Sequence, residues 1–196
     1  AEILEEHKIA FIGPTSEHIR LMGDKIQAKE TAVALGLPVV PGSDGAVTSE
    51  EEAGRMAGEI GYPVLIKAAA GGGGRGMKVA ESAAELATAL ATARSESKAA
   101  FGDDTLYMEK YLKQPRHIEV QVIGDGQGNA AHLGERDCSL QRRHQKIWEE
   151  APSPALNDDM RQKIGAITAE AIKKLGYRST GTIEYLYENG KFYFKN

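Results

Sequence analysis

The spacing of apolar and polar positions changes along the chain near residue 117. Before it, short apolar runs alternate with longer stretches of helical pattern, each opened or closed by Ser, Gly or Pro. From His117 to Ile123, polar and apolar residues alternate with a period of two, as in a strand with one solvated face. The pattern therefore predicts an α+β fold, with an antiparallel sheet in its second half.

Start and stop signals define the individual elements. Ser49 with Glu52, and Ser82 with Glu85, are typical of capping boxes at helix starts, and the turn Asn189-Gly190 is typical of a tight hairpin. The main predicted elements, in chain order, are a helix ending near Glu6, a buried strand at Ile9–Ile12, a helix over Asp24–Leu35, an extended linker over Pro38–Gly42, helices ending at Gly61 and near Ala100, strands at Pro63–Lys67, Met77–Ala80 and Thr105–Tyr111, a helix from Asn157 to Leu175, and a hairpin over Gly181–Phe194.

A glycine cluster joins two of these predicted strands. Gly71 to Gly74, Arg75 and Gly76 lie between an apolar run that ends in Lys67 and a second run that begins at Met77. Glycine allows consecutive backbone N–H groups to turn toward one anion, and Lys67 and Arg75 add positive charge. The segment is predicted to be a hairpin that binds phosphate, as in the glycine-rich loop of protein kinases.

Two other phosphate-binding loops do not fit this segment. Gly71, Gly73 and Gly76 match G-x-G-x-x-G formally, but the dinucleotide fingerprint requires a helix to follow and Met77–Ala80 has the pattern of a strand. The segment also lacks the Gly-Lys-Ser/Thr ending of a P-loop. A glycine turn without a ligand remains the alternative.

Composition narrows the class of protein. The chain has 196 residues, 41% of them hydrophobic, and a net charge of −4, and it carries no apolar run of membrane-spanning length. Neither nucleic acid nor membrane is therefore an expected partner. The single cysteine, Cys138, excludes an internal disulfide framework and favours a reducing, cytoplasmic location. The chain begins at Ala1 with neither a methionine nor a signal-like region, which suggests an internal fragment.

Polar residues at strand ends could form a nucleotide site. Lys67 could contact phosphate oxygens, and Glu109-Lys110 could recognise an adenine edge, although an exposed lysine and a surface ion pair are the alternatives. The cationic segment from Arg136 to Lys146 is either a solvated run of charges or a site for a second anion such as bicarbonate. Glu184 could bind Mg²⁺ if its face of the strand is the nucleotide face.

Many short motifs, in order and over nearly the whole chain, resemble the biotin carboxylase of biotin-dependent carboxylases, an ATP-grasp enzyme. The segments that carry the resemblance are Phe11–Pro14, Met22–Lys25, Val40–Ser43, Gly61–Pro63, Gly71–Met77, Met108–Tyr111, Pro115–His117, Glu135–Ser139, Gln141–Lys146 and Glu149–Pro152.

The resemblance implies a reaction in two steps. ATP and bicarbonate form carboxyphosphate, and the released CO₂ carboxylates N1 of biotin held on a carrier protein. The implied cofactors are ATP and Mg²⁺ or Mn²⁺. The implied partners are a biotin carboxyl carrier protein or domain and a carboxyltransferase component, in an enzyme that is itself a homodimer, most similar to the acetyl-CoA carboxylase type of fatty acid biosynthesis.

The resemblance also implies roles for residues. Lys146 would bind bicarbonate, and Glu184 would be catalytic and a metal ligand close to the phosphates. The implied ATP-binding residues are Lys25 and Lys67 at the phosphates, Gly73 and Gly74 in the lid, Glu109, Lys110, Tyr111 and Leu112 in the adenine hinge, and His117, Gln141 and His144 near the ribose.

The sequence departs from the family pattern at its last residue. Asn196 stands where the family has a second metal-binding glutamate, and the arginine-rich segment with the catalytic arginine and base would follow it. The chain is therefore expected to be an inactive ATP-binding piece of the enzyme. Its expected parts are residues 1–39, a remnant of an N-terminal α/β domain, residues 40–112, the lid, and residues 113–196, part of the central sheet.

Two functions of other classes remain open. A kinase-like phosphotransferase is compatible with the glycine hairpin, although the sequence has neither a His-Arg-Asp nor an Asp-Phe-Gly triplet. A nucleotide-binding or interaction module without catalysis is the second alternative.

Overall fold

The structure, a computed structural model, describes residues 1–43, 45–70, 76–142 and 145–195. The helices are α1 (Glu2–Glu6), α2 (Ser16–Gly23), α3 (Lys25–Ala34), α4 (Glu50–Ile60), α5 (Ala83–Phe101) and α6 (Asp158–Lys174). The strands are β1 (Val64–Ala68), β2 (Met77–Ala80), β3 (Leu106–Lys110), β4 (Arg116–Asp125), β5 (Ala130–Arg142), β6 (Gln145–Glu150), β7 (Arg178–Glu188) and β8 (Lys191–Lys195). Within the described part of the chain, no helix combines the length and the apolar character that crossing a membrane requires.

Contacts between residues divide the chain into two compact units. The glycine-loop unit comprises Asp24–Ile26 and Val40–Lys113. The large-sheet unit comprises Ala1–Gly23, Gln27–Val39 and Gln114–Asn196. The three-part division at residues 39 and 112 stays a prediction.

The glycine-loop unit contains an antiparallel three-stranded sheet in the order β2-β1-β3. Along β1, Val64, Ile66 and Ala68 are buried and pack against the helices, as strict alternation requires. Lys67 therefore lies on the opposite face. Leu65, on that same face, pairs directly with Glu109 of β3, so the register brings Lys67 and Glu109 to neighbouring positions.

The starts of α4 and α5 lie where the sequence predicts them, but the two caps differ. Ser49 Oγ accepts a hydrogen bond of 3.1 Å from the backbone N–H of Glu52, which confirms the first cap. Ser82 makes no side-chain cap bond, so the second predicted capping box is wrong in this detail. Glu85 instead accepts a hydrogen bond of 3.0 Å from the N–H of Glu81, one residue before the cap position.

The large-sheet unit contains five antiparallel strands in the order β6-β5-β4-β7-β8. Helix α6 covers one face, where Tyr185 is fully buried and its hydroxyl lies 2.7 Å from Thr168 Oγ1. Asn157 caps α6 as predicted, because its Oδ1 accepts a hydrogen bond of 2.9 Å from the Met160 N–H. The other face of the sheet carries the polar side chains of β4 and β7.

Three features of the large-sheet unit differ from the sequence prediction. The apolar run Ile9–Ile12 forms no strand, and Ile12 is 87% exposed. Helix α2 was not predicted, although Thr15 Oγ1 caps it through a hydrogen bond of 3.2 Å from the His18 N–H. Strand β6 was not predicted either, although its first two residues, Gln145 and Lys146, end the cationic segment.

Strand β6 is an edge strand with an exposed surface. Trp148 pairs with Leu140 of β5, and both side chains are 62% exposed. Ile147, beside Trp148, is also largely exposed. The far edge of the sheet therefore presents an apolar pair directly next to the strand segment that carries Lys146.

Candidate functional site

In the glycine-loop unit, the end of β1 carries a buried ion pair. The Lys67 ammonium donates to Oε1 of Glu109, a residue that is only 7% exposed. The same ammonium lies 5.7 Å from the centroid of the Tyr107 ring, whose pKa is raised by burial and by the charge of Glu109. Lys67 is thus a fixed cation and not the exposed strand-end lysine of the alternative interpretation.

A second lysine of this unit lies near that pair. Lys25 is the first residue of α3, and Asp24 Oδ1 accepts a hydrogen bond of 3.0 Å from the Ile26 N–H at the helix start. Burial lowers the pKa of Lys25, the charge of Lys67 lowers it further, and the carboxylate of Glu109 opposes both. Lys25, Lys67 and Glu109 therefore interact electrostatically, and two cations are available for a polyphosphate.

The predicted adenine hinge is only partly free to bind a ligand. The Lys110 ammonium donates to the backbone oxygens of Gly61 at 2.9 Å and Tyr62 at 2.8 Å. The Tyr111 N–H donates to the Pro63 oxygen at 3.1 Å. The lysine side chain therefore ties β3 to the end of α4, and Leu112 follows as a half-buried residue.

In the large-sheet unit, Glu119 is the centre of a cationic cluster. This carboxylate, 4% exposed, accepts a hydrogen bond of 2.5 Å from Arg136 Nε and a second from the Lys146 ammonium. Burial alone would raise the pKa of Glu119, but the two cations outweigh burial and lower it. The cationic segment from Arg136 to Lys146 is therefore not a solvated run of charges at these two residues.

Glu184 lies on the same face and contacts two ammonium groups. Lys146 Nζ is 2.8 Å from its Oε1, and Lys195 Nζ is 3.4 Å from its Oε2. Burial opposes the charged form of Lys146, but its hydrogen bonds to Glu119 and Glu184 raise its pKa overall. Lys146 therefore stays protonated at neutral pH, which suits it to bind an anion and not to act as a base.

The carboxylate of Glu184 is suited to bind a divalent cation, but two ammonium groups already contact it. Carboxylate oxygens are ligands that Mg²⁺ prefers, and the side chain is 34% exposed and accessible. Both oxygens nevertheless contact ammonium groups, so a metal ion bound here would compete with Lys146 and Lys195.

Two residues predicted near the ribose lie in contact with each other. Gln141 Nε2 is 3.0 Å from His117 Nδ1 and donates to the Cys138 oxygen at 2.8 Å. Lys195 Nζ lies 3.3 Å from the same histidine nitrogen. The structure thus brings His117 and Gln141 together and links them through Lys195 to Glu184. The predicted site residues Gly73, Gly74 and His144 lie outside the described residues.

Sequence reasoning missed Glu119 and Lys195 as members of the site, and it included Arg136 only as the first residue of the cationic segment. The available signal was the period of two from His117, which places Glu119 on the same face as that histidine. Cys138 is no nucleophile, since burial raises its pKa to about 12 and keeps it a neutral thiol.

Comparisons with known proteins identify the family to which the chain belongs. Residues 24–195 match the family described as carbamoyl-phosphate synthase L chain, ATP binding domain. The biotin carboxylase of Pseudomonas aeruginosa is 55% identical over 195 residues, which cover 99% of this chain and 43% of that protein. The chain therefore spans less than half the length of this relative.

Solved structures give the same result. The biotin carboxylase domain dimer of the Hydrogenobacter thermophilus 2-oxoglutarate carboxylase, in complex with MgADP, ADP and bicarbonate, has a TM-score of 0.88 and 50% identity over 99% of this chain and 43% of its own. The complex of Campylobacter jejuni biotin carboxylase with β-γ-ATP has a TM-score of 0.88 and 53% identity over 98% of this chain and 44% of its own.

The predicted α+β fold of ATP-grasp type is confirmed by these structures. The chain belongs to the family of the carbamoyl-phosphate synthase L chain ATP-binding domain, and its relatives there include biotin carboxylases over nearly all of its length.

Proposed function

We propose that the protein of which these residues are a part is a biotin carboxylase. In the proposed reaction, the γ-phosphoryl group of ATP passes to bicarbonate and gives carboxyphosphate and ADP. Carboxyphosphate breaks down to CO₂ and phosphate, and the CO₂ carboxylates N1 of carrier-bound biotin as that nitrogen loses its proton. The observation that carries the proposal is a protonated lysine, Lys146, fixed between the carboxylates of Glu119 and Glu184 in a chain of this family.

The proposed nucleotide contacts follow from charge and from position in each unit. In the glycine-loop unit, Lys25 and Lys67 bind phosphate oxygens as point charges, and the backbone around Glu109 to Leu112 binds the adenine edge. In the large-sheet unit, His117 and Gln141 bind the ribose. Gly73, Gly74 and His144 complete the proposed set.

Lys146 and Glu184 are the proposed catalytic residues. The ammonium of Lys146 holds bicarbonate through charge-assisted hydrogen bonds, which require the protonated form that its two carboxylate partners maintain. Glu184 is the proposed ligand of Mg²⁺ or Mn²⁺. When bound, such an ion neutralises phosphate charge and orients the phosphates.

Partners and location are part of the same proposal. The biotin carboxyl carrier protein presents the biotin, a carboxyltransferase component accepts the carboxyl group, and the whole enzyme is a homodimer in the cytoplasm. The acetyl-CoA carboxylase type, and with it fatty acid biosynthesis, is supported by the Glu149-Glu150 dipeptide alone.

We also propose that the polypeptide of residues 1–196 does not carboxylate biotin by itself. The family resemblance places the arginine and the base that act on biotin after these residues, and each missing electrostatic stabiliser typically costs ~10²–10³ in rate. The purified polypeptide, incubated with MgATP, labelled bicarbonate and biotin, should form no carboxybiotin. Formation at a few per cent of the rate of an intact biotin carboxylase would contradict this.

A chimera tests the activity itself. The part of this chain that matches the Pseudomonas aeruginosa biotin carboxylase, 195 residues in length, would replace the matching residues of that enzyme. Biotin-dependent ATP hydrolysis would then be measured with bicarbonate. We expect the chimera to be active and Lys146→Met to inactivate it. The control is Lys174→Met, at the exposed last residue of α6, which should leave the activity unchanged.

The same chimera separates the alternatives. Phosphate transfer to protein would support a kinase-like phosphotransferase, and nucleotide binding without turnover would support a binding module. A folded chimera that neither hydrolyses ATP nor responds to biotin would refute the proposed function.

A further inference from the structure

The ion pair between Lys67 and Glu109 joins two subsites that the proposed function treats separately. Lys67 is a proposed phosphate ligand at the end of β1, and Glu109 belongs to the proposed adenine hinge on β3. Their strands are hydrogen-bonded neighbours, and the two side chains share one face of the sheet and touch. A single contact within the glycine-loop unit therefore connects both ends of the proposed nucleotide site.

Burial of this ion pair restricts the positions that the Lys67 ammonium can adopt. The Glu109 side chain is 9% exposed and that of Lys67 is 20% exposed, so neither charge is well solvated. An ammonium group on a flexible stem can adopt many positions, and a buried carboxylate next to it selects one of them. Lys67 is thereby held in place before any phosphate arrives.

Glu109 also balances charge between the two lysines. The positive charge of Lys67 disfavours the charged form of Lys25, and Glu109, which is paired with Lys67, is the negative charge that favours it. A pair of like charges beside buried surface would otherwise favour loss of a proton or separation of the side chains.

We propose that Glu109 is a positioning residue for the phosphate site, which acts by holding the ammonium group of Lys67 in one place. The physical arrangement parallels that of protein kinases, in which a strand lysine must pair with a glutamate to be placed for the phosphates. This inference rests on the proposed nucleotide-binding function. According to this inference, the carboxylate of Glu109, a residue of the proposed adenine hinge, also affects how tightly the phosphates bind.

The role predicts which part of a nucleotide depends on Glu109. If the carboxylate acts through Lys67, Glu109→Gln must weaken the binding of a phosphate chain that has no adenine. If the carboxylate serves the adenine edge alone, the same change must weaken adenosine and leave the phosphate chain unaffected. Inorganic tripolyphosphate and adenosine are therefore the two probes.

The experiment is calorimetric titration of the 196-residue chain and its variants with each probe, without divalent cation. For Glu109→Gln we expect about tenfold weaker tripolyphosphate binding, a loss the size of one charge-assisted contact. Glu96→Gln is the matched control, because Glu96 pairs with Lys78 at 2.7 Å in the same unit but at its surface. It should bind tripolyphosphate as the unchanged chain does.

The pH dependence of tripolyphosphate affinity is a second measurement, and it should not change if Glu109 has a purely structural role. Removing the carboxylate lowers the pKa of Lys25, since Glu109 opposes the effects of burial and of Lys67. The tripolyphosphate affinity of Glu109→Gln should therefore begin to fall at a lower pH than that of the unchanged chain as pH is raised. The Glu96→Gln profile should overlay that of the unchanged chain.

The outcomes distinguish a failure of the proposed nucleotide-binding function from a failure of the positioning role of Glu109. If the unchanged chain binds neither MgATP nor tripolyphosphate, the proposed function fails for this unit. If it binds both and Glu109→Gln binds tripolyphosphate equally well or more tightly, the positioning role fails alone. Should Glu109→Gln not fold, Glu109→Asp retains the charge but shortens its reach, and unaltered tripolyphosphate binding by that variant would equally overturn the inference.

Discussion

The Lys195 ammonium lies 3.4 Å from Oε2 of Glu184, the proposed metal ligand, on the neighbouring strand of the same sheet. An ammonium group at this distance fills space that a divalent cation would need, and it neutralises part of the carboxylate charge that would attract the cation. Lys195→Met should therefore raise the affinity of the chain for Mn²⁺ by ~tenfold at low salt, because removing one partly exposed positive charge relieves a few kcal/mol of repulsion at most.

Electron paramagnetic resonance of free Mn²⁺ measures this directly in mixtures with the purified chain. Lys191→Met is the control, since Lys191 is an exposed lysine at the start of the same strand. Equal Mn²⁺ affinities for both variants would show that Lys195 does not compete for the Glu184 carboxylate.

Lys67→Ala should weaken the binding of ATP by about tenfold or more. A charge-assisted hydrogen bond to phosphate contributes on the order of 1.5–3 kcal/mol, and alanine removes both the charge and the donor. Titration with a fluorescent ATP analogue measures the effect, and Lys78→Ala, which loses a surface ion pair with Glu96, is the control. An unchanged affinity would remove Lys67 from the proposed site.

Glu119→Gln should make the large-sheet unit less stable and less sensitive to acid. At pH 7 the change leaves Arg136 and Lys146 without their buried carboxylate partner, at a cost of about 2 kcal/mol after allowance for their partial exposure. Because the pKa of Glu119 is lowered in the folded chain, its contribution is present above about pH 4 and is lost as pH falls through the folded value.

Urea unfolding as a function of pH tests this expectation. The stability difference between the unchanged chain and Glu119→Gln should shrink as pH falls below about 4. Glu150→Gln, at an exposed carboxylate of β6, should follow the unchanged chain throughout. A difference that stays constant down to low pH would mean that Glu119 does not stabilise the fold through its charge.

Gly165→Ala should destabilise the protein, although alanine usually stabilises a helix interior relative to glycine by about 1 kcal/mol. A Cβ at position 165 in α6 would overlap the ring of His132 from β5. We expect a loss of ~1–3 kcal/mol, typical of overpacking. Gly54→Ala in α4 has no atom within 4 Å of the new Cβ and should show the ordinary gain. Thermal unfolding of both variants gives the comparison, and a stabilised Gly165→Ala would contradict the close packing of His132.

Elements with local signals were predictable from the sequence. The hairpin of β7 and β8 follows from Asn189-Gly190, the start of α6 from Asn157, and the two strands around the glycine cluster from their apolar runs. The apolar run Ile9–Ile12 shows the limit of such signals. A strand needs a hydrogen-bonding partner, and within the described residues this run has no strand partner.

The site was harder to predict because its contacts are distant in sequence. Glu119 meets Arg136 only after β4 and β5 pair, and an irregularity between Val120 and Val122 shifts their register. Lys110 reaches the backbone oxygens of residues 61 and 62, about fifty positions earlier in the chain. Residue type and spacing gave neither partner. The family resemblance implied roles for Lys67, Lys146 and Glu184 without any contact information, and those roles stay predictions.

The exposed pair of Leu140 and Trp148 has a practical consequence for solution spectroscopy. Trp148 is the only tryptophan of the sequence, and it projects from an edge strand two residues after Lys146. Its fluorescence emission should already be red-shifted in the folded chain, so global unfolding will change the emission wavelength little. The same intrinsic fluorophore is a local sensor of β6, whose emission should respond when an anion or a protein surface covers that edge of the sheet.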